Sequence, residues 1–187
     1  MSTDTSNLLR AKNLSPNPDL FLDIELNGHS LGEGHDWETI IVNSVHAALR
    51  AGGDYENVPI EIFVELVSDE RSQSLNRDYR GKNQPTNVLS FPGTEPDDLK
   101  DAVEFSLGGG PPVPLGDLIV AVDVVLYEAA EQKKPIEYHF AHLIIHGVLH
   151  LLGYDHIDDD EAEAMEALER KILAQFDIPD PYKDVIE

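Results

Sequence analysis

The stretch from Ile136 to Leu152 constrains the fold most, because its apolar residues cover most of the circumference of a helix. A helix that is apolar on nearly every side is stable only when other elements surround it, so we expect a buried central helix that ends at Gly153. The exception to this pattern is a stripe of histidines at spacings of three, four and four: His139, His142, His146 and His150.

Three histidines in and after this helix have the spacing of a metal site. Residues four apart lie above one another on a helix, so His146 and His150 can direct two ring nitrogens to one point. Gly153 lets the chain turn, and His156 follows His150 by six residues, which allows a third ring to return to that point. Three neutral imidazoles with a fourth position left to water describe a catalytic zinc site, and such a site also accepts nickel or cobalt.

The neighbours of these histidines leave alternatives open. His142 is also four residues from His146, but it lies farthest from the glycine turn, so we assign it to a supporting or structural position behind the ligands. Asp155 could be a fourth ligand, although a side chain adjacent to His156 is expected to point elsewhere. Gly147 occupies the position of the general base in zinc proteases of the H-E-x-x-H type, which excludes a peptidase mechanism that uses that base.

A second cluster is basic, in contrast to the rest of the chain. The chain has 13 basic and 36 acidic residues and a formal net charge of −23, yet four of the basic residues lie between 71 and 82. The planar fork of an arginine matches two phosphate oxygens, so Arg80 or Arg77 is the best candidate for a phosphate clamp, with Lys82 beside them. The alternative is a solvated helix face whose arginines pair with nearby carboxylates. The net charge argues against non-specific binding to nucleic acid or anionic membranes.

Periodicity predicts one α/β domain of the α+β type, in which a mixed sheet of about four strands packs with about five helices, including the central histidine-bearing helix. The predicted strands are 20–26, 60–67, 87–91 and 118–122. The predicted helices are 36–51, 68–79, 124–132, 136–152 and a last one capped by Asp158. By segment, the prediction is a flexible lead-in at 1–18, the domain at 19–176 with an acidic loop insertion at 94–114, and a tail at 177–187.

The sequence also predicts a location and limits the kinds of metal site. The N-terminus lacks a secretion signal and no apolar run reaches the ~18 residues of a membrane span, so we expect a cytoplasmic protein without membrane contact. The chain has no cysteine, so a metal ion would need histidine or carboxylate ligands.

Two motifs together resemble those of one family. They are LNRDYRGKNQPTNVLSFP at 75–92 and HGVLHLLGYDH at 146–156, with LGD at 115–117 between them. These stretches are similar to the YbeY-type bacterial endoribonucleases, and the similarity spans most of residues 20 to 176. Asn83 stands where an aspartate is common in the family, and the acidic segment 94–114 is longer than usual.

The resemblance implies a function and its site. Family members are described as single-strand-specific, zinc-dependent endoribonucleases that act in 3′-end maturation of small-subunit ribosomal RNA and in late ribosome quality control. Carried over by position, the family's metal ligands fall on His146, His150 and His156, and its important arginine falls on Arg80. The implied partners are single-stranded or ribosomal RNA and the ribosome or its small subunit.

The strong acidity suggests that protein contacts help such a chain to reach RNA, through a basic ribosomal protein or an assembly GTPase. Two alternatives remain open. One is a ribosome-assembly factor whose main work is binding, with incidental cleavage. The other is a metal hydrolase of a non-RNA substrate.

Overall fold

The computed structural model describes residues 19 to 183, which form a four-stranded sheet and six α-helices. The strands are β1 (Leu20–Glu25), β2 (Ile60–Val67), β3 (Val88–Pro92) and β4 (Val113–Ala121). The helices are α1 (Trp37–Gly53), α2 (Asp69–Arg80), α3 (Leu99–Leu107), α4 (Val122–Glu131), α5 (Ile136–Leu151) and α6 (Asp159–Ala174). The predicted lead-in at 1–18 lies outside the described residues.

The sheet is mixed, as the sequence predicts, with the strand order β1-β2-β4-β3. The strands β1, β2 and β4 are parallel, and β3 pairs antiparallel with β4 at one edge. In the register of the sheet, Val64 lies opposite Leu118, and Leu118 lies opposite Ser90. Apolar residues that alternate along these strands point to one face, where α1 and α5 cover them.

Helix α5 is the central buried helix that the sequence predicts. Its residues Phe140, Ile144 and Val148 have no exposed surface, and α1 and α6 pack against it. Gly147 faces the sheet, and a Cβ atom there would lie 2.8 Å from Cδ2 of Leu118. The glycine therefore allows α5 to approach the sheet closely, and a longer side chain at this position would enter the core.

Helix α2 lies on the opposite face of the sheet. Its Leu75 packs with a small apolar cluster on β2, β3 and β4, formed by Val67, Leu89 and Ile119. The Ser68 hydroxyl caps α2 by accepting a hydrogen bond from the N–H of Arg71. Because α2 and α5 cover opposite faces near the edge strand β3, the predicted basic cluster and the predicted histidine cluster lie on different sides of that strand.

The prediction of a loop over 94–114 is wrong for residues 99 to 107, which form α3. Leu99, Ala102, Val103 and Ser106 recur at helical spacing and face inward, while the other residues of α3 are exposed. Strand β4 also begins earlier than predicted, at Val113. Its exposed Pro114 and Asp117 point to the face of the sheet on which α2 lies, which we call the open face because α2 covers only part of it. They interrupt the apolar pattern by which strands are recognised.

The folded core extends beyond the predicted domain boundary at residue 176. Ile178 is buried in the main core, although the sequence places it in a tail. The chain reverses at Asp177, which adopts a left-handed conformation with φ of 58°, and the reversal returns Ile178 to the core. No helix in the described range of 19–183 combines the length and apolarity needed to cross a membrane.

Candidate metal centre

The last two turns of α5 and the loop after it bring the three predicted histidines together. The Nε2 atoms of His146 and His150 lie 3.1 Å apart. The ring of His156 has its centroid 4.9 Å from that of His150 and 5.7 Å from that of His146. The side chain of His156 is exposed, so this cluster lies at the surface of the protein.

The loop that carries His156 is held in place at its start. Gly153 has φ of 95°, in the left-handed region that glycine adopts at the end of a helix. The carbonyl oxygen of Tyr154 lies 2.9 Å from Nδ1 of His150. The Tyr154 hydroxyl donates to the carbonyl of Gly52 at 3.0 Å, which ties the loop to the end of α1. The return of the chain is therefore fixed by the fold.

The partners of the two Nδ1 atoms determine the state of the facing Nε2 atoms. Nδ1 of His150 faces the Tyr154 carbonyl, and Nδ1 of His146 lies 2.6 Å from Oε1 of Glu169. A carbonyl and a carboxylate accept hydrogen bonds, so each Nδ1 carries a proton, and each ring presents a lone pair at Nε2 when it is neutral. At 3.1 Å, the two Nε2 atoms are close enough to share a proton or to bind one metal ion.

Burial favours the neutral ring that metal binding requires. Burial, together with the charge that His146 and His156 carry when protonated, lowers the pKa of His150 to about 4. His150 is therefore uncharged at neutral pH. A histidine must be neutral to donate a lone pair to a metal ion.

Glu169, on α6, is a site residue that sequence reasoning did not identify. Its side chain is 0% exposed, and Oε2 lies 3.1 Å from Nε2 of His142 while Oε1 lies against His146. Burial alone would raise the pKa of Glu169, but the hydrogen bonds from the two histidines outweigh that effect and lower the pKa to about 2. Its position four residues after Met165 and three before Ile172 is the signal that could have found it, because it puts a carboxylate on the buried face of α6.

Tyr182 is a further contact of Glu169. Its hydroxyl donates to Oε2 of Glu169, and its ring stacks edge-on with His142 at a centroid distance of 5.6 Å. Burial raises the pKa of Tyr182, as does the hydrogen bond to the carboxylate, so the hydroxyl keeps its proton at neutral pH. The Glu169 carboxylate thus accepts hydrogen bonds from three side chains.

Two separate groups of side chains could hold a metal ion. His142, His146 and Glu169 each place one ligand atom within 4.8 Å of the others, and so do His150, Asp155 and His156. The predicted set of three histidines takes members from both groups. Because His146 has two ring nitrogens, it faces Glu169 through Nδ1 and His150 through Nε2.

The expectation that Asp155 points away from its neighbour is wrong. Its Oδ1 accepts a hydrogen bond from the backbone N–H of His156 at 2.8 Å and lies 3.5 Å from Nδ1 of that residue. This local hydrogen bond turns the carboxylate toward the ring of His156. Asp155 therefore lies at the border of the histidine cluster.

The first histidine of the stripe belongs to a different network. Nε2 of His139 lies 2.8 Å from Oε2 of Glu128, whose carboxylate also accepts from Asn87 at 3.0 Å. Burial raises the pKa of Glu128, but the bonds from His139 and Asn87 outweigh it and lower the pKa overall. This network joins α4, α5 and the start of β3, and it does not include the three clustered rings.

The predicted basic residues lie at and beyond the end of α2. Arg80 and Lys82 are exposed, and neither side chain has an ion pair or hydrogen bond to any residue between 19 and 183. Arg77 instead pairs with Asp78 at 2.9 Å. Tyr79 is 70% exposed and packs edge-on against Phe91 of β3, so the end of α2 lies beside the edge strand. The structure shows no direct contact between Arg80 and the histidines.

Comparison with known proteins gives consistent matches. A family model described as Endoribonuclease YbeY matches residues 27–177. A protein named Endoribonuclease YbeY from Chromohalobacter salexigens is 56% identical over 124 residues, which cover 66% of this chain and 73% of the relative. One of the same name from Rhizorhabdus wittichii is 48% identical over 154 residues, covering 80% of this chain and 89% of the relative.

A solved structure matches as well. The solution structure of TM1509 from Thermotoga maritima has a TM-score of 0.52 and 25% sequence identity to this chain. The match covers 88% of this chain and 100% of that one. The family match at 27–177 includes all three clustered histidines and Arg80, but it ends before Tyr182.

Proposed function

This chain belongs to the YbeY endoribonuclease family, and on that basis we propose that it cuts single-stranded RNA with a zinc ion held by His146, His150 and His156. The observation that carries the proposal is the pair of Nε2 atoms that face each other at 3.1 Å while both Nδ1 atoms are engaged. In a tetrahedral site with bonds of 2.0–2.1 Å, two ligand nitrogens lie about 3.3 Å apart. The two rings therefore already occupy positions close to two corners of such a site.

The distance between His146 and Glu169 favours this set over the group that contains His142. Nδ1 of His146 and Oε1 of Glu169 are 2.6 Å apart, which is a hydrogen-bond distance and is too short for two ligands of one ion. A carboxylate behind a ligating histidine fixes the tautomer and the orientation of the ring. We assign that supporting role to Glu169, and we place His142 beside it as a donor to the same carboxylate.

A zinc ion bound by the three histidines would supply Lewis-acid chemistry, polarising the phosphodiester and making a water molecule a better nucleophile at neutral pH. The chain's own contribution begins with the exposed Arg80, whose guanidinium would neutralise a non-bridging phosphate oxygen and orient the phosphodiester. Lys82 and Arg77 would bind the neighbouring backbone. Tyr79, which is largely exposed, offers a surface on which a base can stack.

We infer a path for the RNA strand from the position of these groups. Arg80 lies at the end of α2, on one side of the edge strand β3, and the histidines lie on α5, on the other side. A strand that contacts both would cross the outer edge of β3. Single-stranded RNA is flexible enough to follow that edge, whereas a regular duplex is stiffer, and this difference supports the proposed preference for single strands.

We extend the proposal to the ribosome. In this extension the chain acts in the cytoplasm on the 3′ end of small-subunit ribosomal RNA and in late ribosome quality control. The net charge of −23 and the exposed acidic residues of the open sheet face, among them Glu61 and Asp117, support a protein partner of opposite charge. A basic ribosomal protein or an assembly GTPase would meet that requirement.

Metal analysis of the purified protein, combined with cleavage of a ribosomal RNA fragment, tests the proposal. We expect about one zinc ion per chain rather than nickel or cobalt, cleavage that a chelator abolishes, and recovery on addition of zinc. A His146→Ala variant that, in the presence of chelator, cleaves as fast as the untreated wild-type protein would contradict the proposal. Normal ribosome maturation in cells that carry this variant would favour a binding factor, and metal-dependent cleavage of peptides but not RNA would favour a hydrolase of another substrate.

A further inference from the structure

The segment 177–183 returns along α5 and α6 and is held there by its own contacts. The Lys134 ammonium donates to the carbonyl of Pro181 at 3.0 Å, and the backbone N–H of Tyr182 donates to Oδ1 of Asp180 at 3.0 Å. Ile178 is buried in the main core. The family match ends at residue 177, so these contacts lie beyond the part of the chain that is common to the family model.

One side chain of this segment, Tyr182, contacts the Glu169 carboxylate, which in turn contacts the histidine cluster. The Tyr182 hydroxyl donates to Oε2 of Glu169, and Nε2 of His142 lies 3.1 Å from the same oxygen and 3.3 Å from the hydroxyl oxygen. The other carboxylate oxygen, Oε1, accepts from Nδ1 of His146. Both oxygens of a fully buried carboxylate are therefore fixed by donors.

The orientation of this carboxylate depends on both sets of bonds. Rotation about the last side-chain bond of Glu169 moves Oε1 and Oε2 together, so a donor that holds Oε2 also keeps Oε1 against His146. A histidine that loses its partner at Nδ1 is free to turn or to change tautomer, and either change removes the Nε2 lone pair from the site.

We propose that Tyr182 is a positioning residue of the zinc site, which acts through Glu169 to hold the ring of His146 in its ligating orientation. This inference rests on the proposed function for the identity of the ligands. The aromatic ring of Tyr182 has separate contacts, edge-on to His142 and with the Arg170 guanidinium 5.8 Å from its centroid. Removal of the hydroxyl alone therefore leaves the ring packed.

The test is the Tyr182→Phe variant of the full chain, with Tyr127→Phe as the matched control. Tyr127 is exposed on α4, and its hydroxyl donates to Glu131 at 3.3 Å, so the control removes a surface hydrogen bond of the same kind. The zinc dissociation constant is measured by chelator competition. We expect Tyr182→Phe to weaken zinc binding about three- to tenfold and Tyr127→Phe to leave it unchanged. The expected loss is at or below the low end of the range for residues that hydrogen-bond to a metal ligand, because Tyr182 acts one residue farther away.

A second readout uses the metal-free protein. Nitrogen-15 NMR of the imidazole rings reports whether the Nδ1 proton of His146 is hydrogen-bonded, and we expect its exchange with solvent to accelerate in Tyr182→Phe but not in Tyr127→Phe. Unchanged zinc affinity together with unchanged exchange would overturn the inference. If the wild-type protein binds no zinc through these histidines, the proposed function fails, and the exchange measurement alone decides whether Tyr182 positions His146.

Discussion

Nε2 of His146 and Nε2 of His150 lie 3.1 Å apart, on rings whose Nδ1 atoms are held by Glu169 and by the Tyr154 carbonyl. Each ring is therefore fixed through its Nδ1 atom, and the two Nε2 atoms face each other. The buried helix α5 supplies the rigidity, since its other residues are packed in the core. Under the proposed function, a metal ion that enters this site would meet preorganised ligands.

Substitution of single histidines distinguishes the proposed set of three histidines from the group formed by His142, His146 and Glu169. We expect His156→Ala to weaken zinc binding by more than about 100-fold, because it removes a ligand, and His142→Ala to weaken it by about tenfold, because it removes a donor to Glu169. Chelator competition measures both constants. Retention of zinc in His156→Ala combined with its loss in His142→Ala would show that the ion binds to the group formed by His142, His146 and Glu169.

Charge reversal at Arg80 tests the phosphate clamp. We expect Arg80→Glu to retain zinc and to lower the cleavage rate by about 10²–10³-fold, because one stabilising contact to the transition state is lost. Lys171→Glu makes the same change in charge at an exposed position on α6, so it controls for the effect of the greater net negative charge on RNA binding. Equal activity of the Arg80 variant and this control in a single-turnover assay would show that Arg80 does not bind the reacting phosphate.

The ends of the RNA products identify the nucleophile. A water molecule activated at the metal site does not need the ribose 2′-hydroxyl, so we expect linear phosphate ends. We also expect a substrate with a single deoxyribose before the cleaved bond to react within about tenfold of the all-RNA rate, since no reacting group is removed. Mass spectrometry of the products makes the distinction. Cyclic phosphate ends, together with no cleavage of the deoxy substrate, would assign the attack to the 2′-hydroxyl.

The Glu169 carboxylate makes the stability of the metal-free protein depend on pH. Its pKa of about 2 in the folded protein is below the usual 4.5, so the unfolded chain binds more protons between these values and stability falls as the pH falls through this window. We expect Glu169→Gln to lower the free energy of unfolding at pH 7 on the order of 3 kcal/mol, and this deficit to shrink toward pH 2.

Urea unfolding at several pH values measures this effect, with Glu163→Gln as the control. Glu163 is exposed on the same helix, so the control makes the same chemical change without touching the histidines. A deficit in Glu169→Gln that stays constant from pH 7 to pH 2 would mean that Glu169 is not charged in the folded protein.

Regular periodicity was sufficient to predict most of the fold. The bounds of β2 agree with the prediction, and those of α5 differ by one residue. Both elements are strongly apolar, and a helix-capping serine, Ser68, follows the first while Gly153 follows the second. Helix α3 was missed because only Leu99, Ala102 and Val103 mark its inner face within an acidic stretch. The pairing of β4 with β2, which extends it to Val113, is a property of the sheet that local pattern does not reveal.

The candidate site was predictable only where its residues are close in sequence. Histidines at spacings of four and six constrain one another through the geometry of one helix and one turn, so their approach could be inferred. Glu169 and Tyr182 reach the site from a different helix and from a segment that follows it, and only the packing of α6 on α5 brings them to His142 and His146. The separation of Arg80 from the histidines by β3 likewise depends on which face of the sheet each helix covers.

A crystal structure of the zinc-loaded protein, with anomalous diffraction recorded at the zinc edge, tests the central claim most directly. We predict one zinc peak per chain at 2.0–2.1 Å from a ring nitrogen of each of His146, His150 and His156, with His146 binding through Nε2 and one position open to solvent. A peak on the Nδ1 side of His146, bound by Glu169, or a site closed by a fourth protein ligand such as Asp155, would contradict the account.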